Sequence, residues 1–131
     1  MKKDTISFLE HADEALSDAR KVLSIGVARQ AARLAYYAQF HAAQVLIFER
    51  TDQNAKTHKG VRVLFHKLAN EDANIPGDLV GELTSAFHFK VSADYETATR
   101  AMVSDESAGD AIKTAERFLS AVRKSLEAKL I

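Results

Sequence analysis

Apolar residues recur every three or four positions through most of the chain, the spacing of one helical face and not the alternation of a strand. Near the start, Ile6, Leu9, Ala12, Leu16, Ala19 and Leu23 form such a row, with Asp4, Glu10, Asp13, Glu14, Asp18 and Arg20 between them. This predicts an amphipathic helix of about 20 residues, ended near Gly26. From about Val27 to Arg50 the pattern changes. One row holds Ala31, Leu34, Ala38, Val45 and Phe48, while a second holds Tyr36, Phe40, Ala43 and Ile47. A helix that is apolar on several sides is packed on several sides, so this is the expected central helix. Tyr37, Phe40 and Val45 should have little exposure, and Asp52-Gln53-Asn54 breaks the helix.

Thr57 is a suitable N-cap for a short third helix from about His58 to Asn70, with Val61, Leu64, Phe65 and Leu68 facing inward. The polar stretch from Asn70 to Asp78, with Pro76-Gly77, reads as a loop. A fourth helix is predicted from about Leu79 to Met102, its core face holding Leu79, Leu83, Ala86, Phe87, Val91 and Tyr95. Ser104 then caps a fifth, with Asp105 and Glu106 where the helix dipole favours negative charge. Ile112, Ala115, Leu119, Val122, Leu126 and Leu130 give its apolar stripe. The expected fold is all-α, an up-and-down antiparallel helical bundle of four to five helices, in a single domain over residues 1–131. Phe87 and Phe89 stand two apart on one helix and cannot both face one core, so one of them is expected in a two-fold homodimer interface.

Composition agrees with helices. Among 131 residues there are one proline and five glycines, too little turn chemistry for a sandwich or barrel. The 18 basic and 18 acidic side chains cancel, so bulk charge gives no reason to expect duplex DNA binding. No cysteine is present, which excludes disulfides, thiol nucleophiles and thiolate metal sites. Charges recur from Lys2 to Lys21, and the run from Leu34 to Phe48 is interrupted by Gln39, His41 and Gln44. Neither stretch suits a signal peptide or a membrane span, so a cytoplasmic protein without membrane contact is expected.

The chemistry-bearing residues narrow the function by exclusion. His11, His41, His58, His66 and His88 show no pair in metal-ligand register with a nearby carboxylate, and no glutamate-x-x-histidine motif occurs. No metal or cofactor is therefore expected, and His41 is read as a hydrogen-bonded core histidine. Serine elbows and phosphate-binding glycine loops are absent. Tyr36, Tyr37 and Phe40 could form a base-stacking platform, but at helical spacing on a central helix they read better as core.

Charge is uneven along the chain. Residues 50–67 hold Arg50, Lys56, Lys59, Arg62 and Lys67 against Asp52 alone, whereas Glu71, Asp72, Asp78 and Glu82 follow without a basic residue. The plain reading is a solvated surface. The sharper one is a nucleotide or RNA site at the start of the third helix. There Lys56, Thr57, His58, Lys59, Gly60 and Arg62 would meet a phosphate beside free N–H groups, Gly60 letting the anion approach the backbone closely, with Arg33 on the same side.

The segment from Ala32 to Ala43 (Ala-Arg-Leu-Ala-Tyr-Tyr-Ala-Gln-Phe-His-Ala-Ala), the run Lys56-Thr57-His58-Lys59-Gly60-Val61 with Phe65, and Ala93-Asp94-Tyr95 resemble the signature of HEPN domains (higher eukaryotes and prokaryotes nucleotide-binding). The resemblance covers nearly the whole chain, and the match is best to small stand-alone prokaryotic members. It implies a dimerising helical bundle, often encoded beside a minimal nucleotidyltransferase. Many such proteins are metal-independent ribonucleases and toxins, whose arginine is followed after four to six residues by a histidine.

This sequence departs from that pattern. Lys90 stands at the arginine position, Asp94 at the histidine position, and Tyr95 follows. Lysine keeps the charge but loses the bidentate fork. An ionised aspartate has no proton to donate. No arginine in the chain precedes a histidine with four to six residues between. The expected function is a non-catalytic dimeric binding module, a partner of a minimal nucleotidyltransferase with nucleotide or RNA contact. The alternatives are a divergent ribonuclease toxin using Lys90, Asp94 and Tyr95 or a recruited His58, and a purely structural or regulatory dimer.

Overall fold

The computed structural model describes residues 2–95 and 103–128, and among these the regular structure is entirely helical. The elements are α1 (Lys3–Ser24), α2 (Ala28–Thr51), α3 (His58–Asn70), α4 (Gly77–Val80), α5 (Glu82–Asp94) and α6 (Asp105–Ala128). Helix α2 lies at the centre, and α1, α3, α5 and α6 each pack against it. Its buried alanines, at 28, 31, 32, 35, 38, 42 and 43, let neighbouring backbones come close. Ion pairs fix the directions. Arg20 with Glu116 and Arg123 with Asp13 make α1 and α6 antiparallel, and Arg33 with Asp94 does the same for α2 and α5. Thr5 at the start of α1 also meets Glu49 at the end of α2, so α1, α2, α5 and α6 run up, down, up and down.

The helix ends follow local chemistry. Gly26 takes φ +84°, and the Gly26 and Val27 N–H groups donate to Leu23 and Val22 carbonyls, a Schellman ending for α1. Helix α2 stops at Asp52, itself left-handed, beside the predicted Asp52-Gln53-Asn54 break. The Thr57 hydroxyl accepts from Gly60 N–H at 3.0 Å, and Ser104 Oγ accepts from Ser107 N–H at 2.9 Å, as expected of N-caps.

Several expectations need correction. The fourth helix is two elements, since Gly81, a weak helix former, separates the single turn α4 from α5. Its predicted end at Met102 lies outside the described residues, as does Leu130. Tyr95 is exposed and not core, because α5 ends at Asp94 and turns its next residue out. At the start of α1 the row led by Leu9 continues back to Thr5, which is buried, and leaves Ile6 exposed. The cause is Glu49 at the end of α2, whose carboxylate accepts from the Thr5 hydroxyl and the Lys2 N–H. Tyr37 is only partly buried, whereas Phe40 and Val45 are buried as expected. His41 is half-buried, its Nδ1 3.0 Å from Gln44 Oε1.

Helices α5 and α6 leave a groove of about 290 Å³ above α2. Phe89 lines it, while Phe87 turns the other way, onto Tyr36. The two phenylalanines do face different directions.

Candidate functional site

The sequence candidates separate into two groups where α2, α3 and α5 meet. Lys56, Thr57 and Lys59 stand exposed at the start of α3. Gly60 does not leave the open backbone that its sequence position suggested. A Cβ added there would lie 2.7 Å from the Thr57 hydroxyl, so the cap itself fills that space.

His58, Arg62 and Arg33 turn inward instead. The His58 ring packs on Phe40, Tyr36 and Phe87, with centroids 5.0, 5.6 and 5.6 Å away, and its Nδ1 lies 2.7 Å from the Tyr36 hydroxyl. Tyr36 and Phe40 are therefore core, and the half-buried Tyr37 alone of the three keeps surface. The Arg62 guanidinium lies 4.2 Å from the Phe87 ring centre, a cation–π contact.

Arg33 reaches across to α5, where the two positions that depart from the ribonuclease pattern lie. Its Nε is 2.5 Å from Asp94 Oδ1, and Lys90 Nζ is 2.6 Å from Asp94 Oδ2. The last pair is an i,i+4 contact along α5. Arg29 donates to the Asp94 backbone carbonyl at 3.1 Å, and Lys90 Nζ lies 5.8 Å from the Tyr37 ring centre. Sequence reading joined Lys90 and Asp94 as positions of one motif but grouped Arg33 with the start of α3. Arg29 was not singled out and Tyr37 was read as core, and only the fold reveals their place. Their signal was a spacing of one helical turn from Arg33.

Electrostatics follow from this crowding. Burial alone would raise the Asp94 carboxyl, but hydrogen bonds from Lys90 and Arg33 outweigh it and hold the group below the ordinary 3.8. Lys90 is correspondingly raised, first by its bond to Asp94. Burial pushes the Tyr36 phenol above its usual range. His58 is lowered from 6.5, first by burial and then by the charges of Lys90 and Arg62, so it is neutral at pH 7.

That shift makes a testable contribution to stability. A base whose folded pKa is depressed contributes fully above its unfolded value, and the contribution is lost as pH falls through the folded one. The melting temperature should therefore begin to fall below about pH 6.5, and His58→Gln should flatten this limb. Equal slopes in both proteins would show that His58 is not coupled to folding.

Among the described residues no cluster of three or more histidine, cysteine or acidic side chains could hold a metal, and no helix is long and apolar enough to cross a membrane. The arrangement suits an anion. Arg33 and Lys90 hold a single carboxylate between them, and Arg29 is bound to the backbone carbonyl of the same residue.

The HEPN domain model matches residues 7–125. The chain belongs to the HEPN domain family. Over 97% of its length it is 28% identical to a Methanocaldococcus jannaschii protein named as a candidate toxin, covering 92% of that protein. It is 27% identical to a UPF0332 protein of Archaeoglobus fulgidus, over 90% of this chain and 91% of the relative. The crystal structure of TT1696 from Thermus thermophilus superposes with a TM-score of 0.77 at 25% identity, covering 95% of this chain and 99% of that one. The helical fold predicted from the apolar rows is thus the HEPN fold.

Proposed function

We propose that this HEPN protein is a non-catalytic, dimeric binding module that holds a nucleotide or RNA strand by its phosphates and works beside a minimal nucleotidyltransferase. The observation that carries the reading is the state of Asp94. Clamped by two cations, it stays ionised at neutral pH and has no proton to give a leaving group. The cations around it favour phosphate. Exposed Ile25, Val63 and Tyr95, with Phe89 in its groove, offer apolar surface for a homodimer.

A second reading has one specific observation behind it. A neutral His58 near Lys90 and Arg62 resembles a general base beside phosphate-stabilising cations, and one relative bears a toxin's name. Incubating purified protein with single-stranded RNA in chelator separates the two. We expect intact RNA, a retarded complex, and a log–log salt slope of roughly −0.7 per phosphate neutralised. Sedimentation of the same sample should give a dimer. Metal-independent cleavage abolished by His58→Ala or Asp94→Ala would replace the binding module with an enzyme.

A further inference from the structure

The contact of Asp94 with Arg33 and Lys90 has the form of a filled anion seat. Each carboxylate oxygen takes one cation, Oδ1 from Arg33 Nε at 2.5 Å and Oδ2 from Lys90 Nζ at 2.6 Å. A phosphate group presents paired oxygens on one atom in a similar fork, and arginine and lysine recognise both. The seat is not sealed, since the Arg33, Lys90 and Asp94 side chains are 30%, 16% and 25% exposed. Its charge is also larger than the carboxylate can neutralise. Arg33 and Lys90 bring two positive charges against one, and Arg29 is held beside them against the Asp94 backbone carbonyl.

We propose that Arg33 and Lys90 form a binding seat for a phosphate group, monoester or diester, and that the Asp94 carboxylate is its built-in competitor, filling the seat when no ligand is bound. This rests on the reading of the protein as a nucleotide- or RNA-binding module, and narrows it to one seat and one competing group. The consequence is an affinity set low by the chain itself. A phosphate must displace an anion already paired to both cations, and it gains only the difference between the two sets of contacts. If Asp94 merely ties the end of α5 to α2, its removal weakens the fold and leaves phosphate affinity unchanged or lower. If it competes, its removal strengthens binding.

The experiment is a fluorescence anisotropy titration of a short single-stranded RNA, with inorganic phosphate and AMP as competitors. It compares wild type with Asp94→Asn, and Asp94→Asn with the double variants that add Lys90→Gln or Arg33→Gln. Asparagine keeps the shape but cannot pair with two cations. Losing two partly exposed ion pairs from the competing state should tighten RNA binding about tenfold. Either added substitution should abolish the gain.

Unchanged RNA affinity in Asp94→Asn, with binding still weakened by Arg62→Gln, overturns the seat but leaves the binding module standing. Failure of every protein to bind RNA overturns both. Should Asp94→Asn fail to fold, the wild type decides by proton–nitrogen NMR. The Arg33 Nε–H resonance should move saturably on addition of inorganic phosphate. A resonance that stays fixed while amides at the start of α3 shift puts the phosphate elsewhere and overturns the proposal.

Discussion

Phe65→Ala should destabilise the protein by about 3–5 kcal/mol, as truncation of a fully buried aromatic does. The Phe65 ring packs 4.8 Å from that of Phe118 at 34°, and both side chains are almost wholly excluded from solvent. This pair joins α3 to α6, which otherwise meet through α2. Its removal leaves a cavity between elements already fixed by other contacts, so relaxation can recover little of the loss. In a chain of this length the melting temperature should fall on the order of 10–20 °C. Urea unfolding should show a lower midpoint at an unchanged slope. Phe65→Leu should cost clearly less. A loss under about 1 kcal/mol for the alanine variant would mean the ring is not core.

Asp72→Ala should cost about 1.5–3 kcal/mol at neutral pH, the range for hydrogen bonds to a charged group. Asp72 accepts from the buried Ser125 hydroxyl and, at 2.8 Å, from the Asn74 N–H. Arg50 closes the network from the end of α2, donating to Ser125 O at 3.0 Å and Oγ at 2.8 Å. Burial would raise the Asp72 carboxyl, but the bonds from Ser125 and Asn74 and the charge of Arg50 outweigh it and hold the group below 3.8. An acid with a depressed folded pKa stabilises above its unfolded value and loses that contribution as pH falls through the folded one. Wild type should therefore lose stability below about pH 4, and the variant should show a shallower acid limb. Some slope remains, because Glu49 and Asp94 are also lowered. Acid limbs of equal slope would remove Asp72 from this account.

The two networks show where sequence reading succeeds and where it stops. The row from Leu9 to Ala19, the several-sided α2 and the Thr57 cap were legible, because helical periodicity and capping are local. Thr5, Phe118 and Ser125 were missed as core, since a polar residue or a second row becomes core only when a particular neighbour arrives. For Thr5 that neighbour is Glu49, 44 residues away. Tyr95 was assigned to the core by extending the α5 stripe one residue too far. At the site, the residue types were legible and the pairing was not. Arg33 and Asp94 are 61 positions apart, and no spacing rule joins them. Gly60 shows the opposite error. It was read as room for a ligand, and the space belongs to the hydroxyl that caps its own helix.

The alanine-lined α2 has a consequence for how the molecule opens. Because α1, α3, α5 and α6 all rest on this one helix, they share a single support and form no independent half. Slow amide exchange should concentrate in the middle of α2, where the amides are released only when the whole structure opens. Exchange at α4 and the ends of α5 should proceed by smaller fluctuations. A ligand held by Arg33, on α2, and Lys90, on α5, would thus link a rigid axle to one of its looser spokes, and the slowing it causes should register on the spoke.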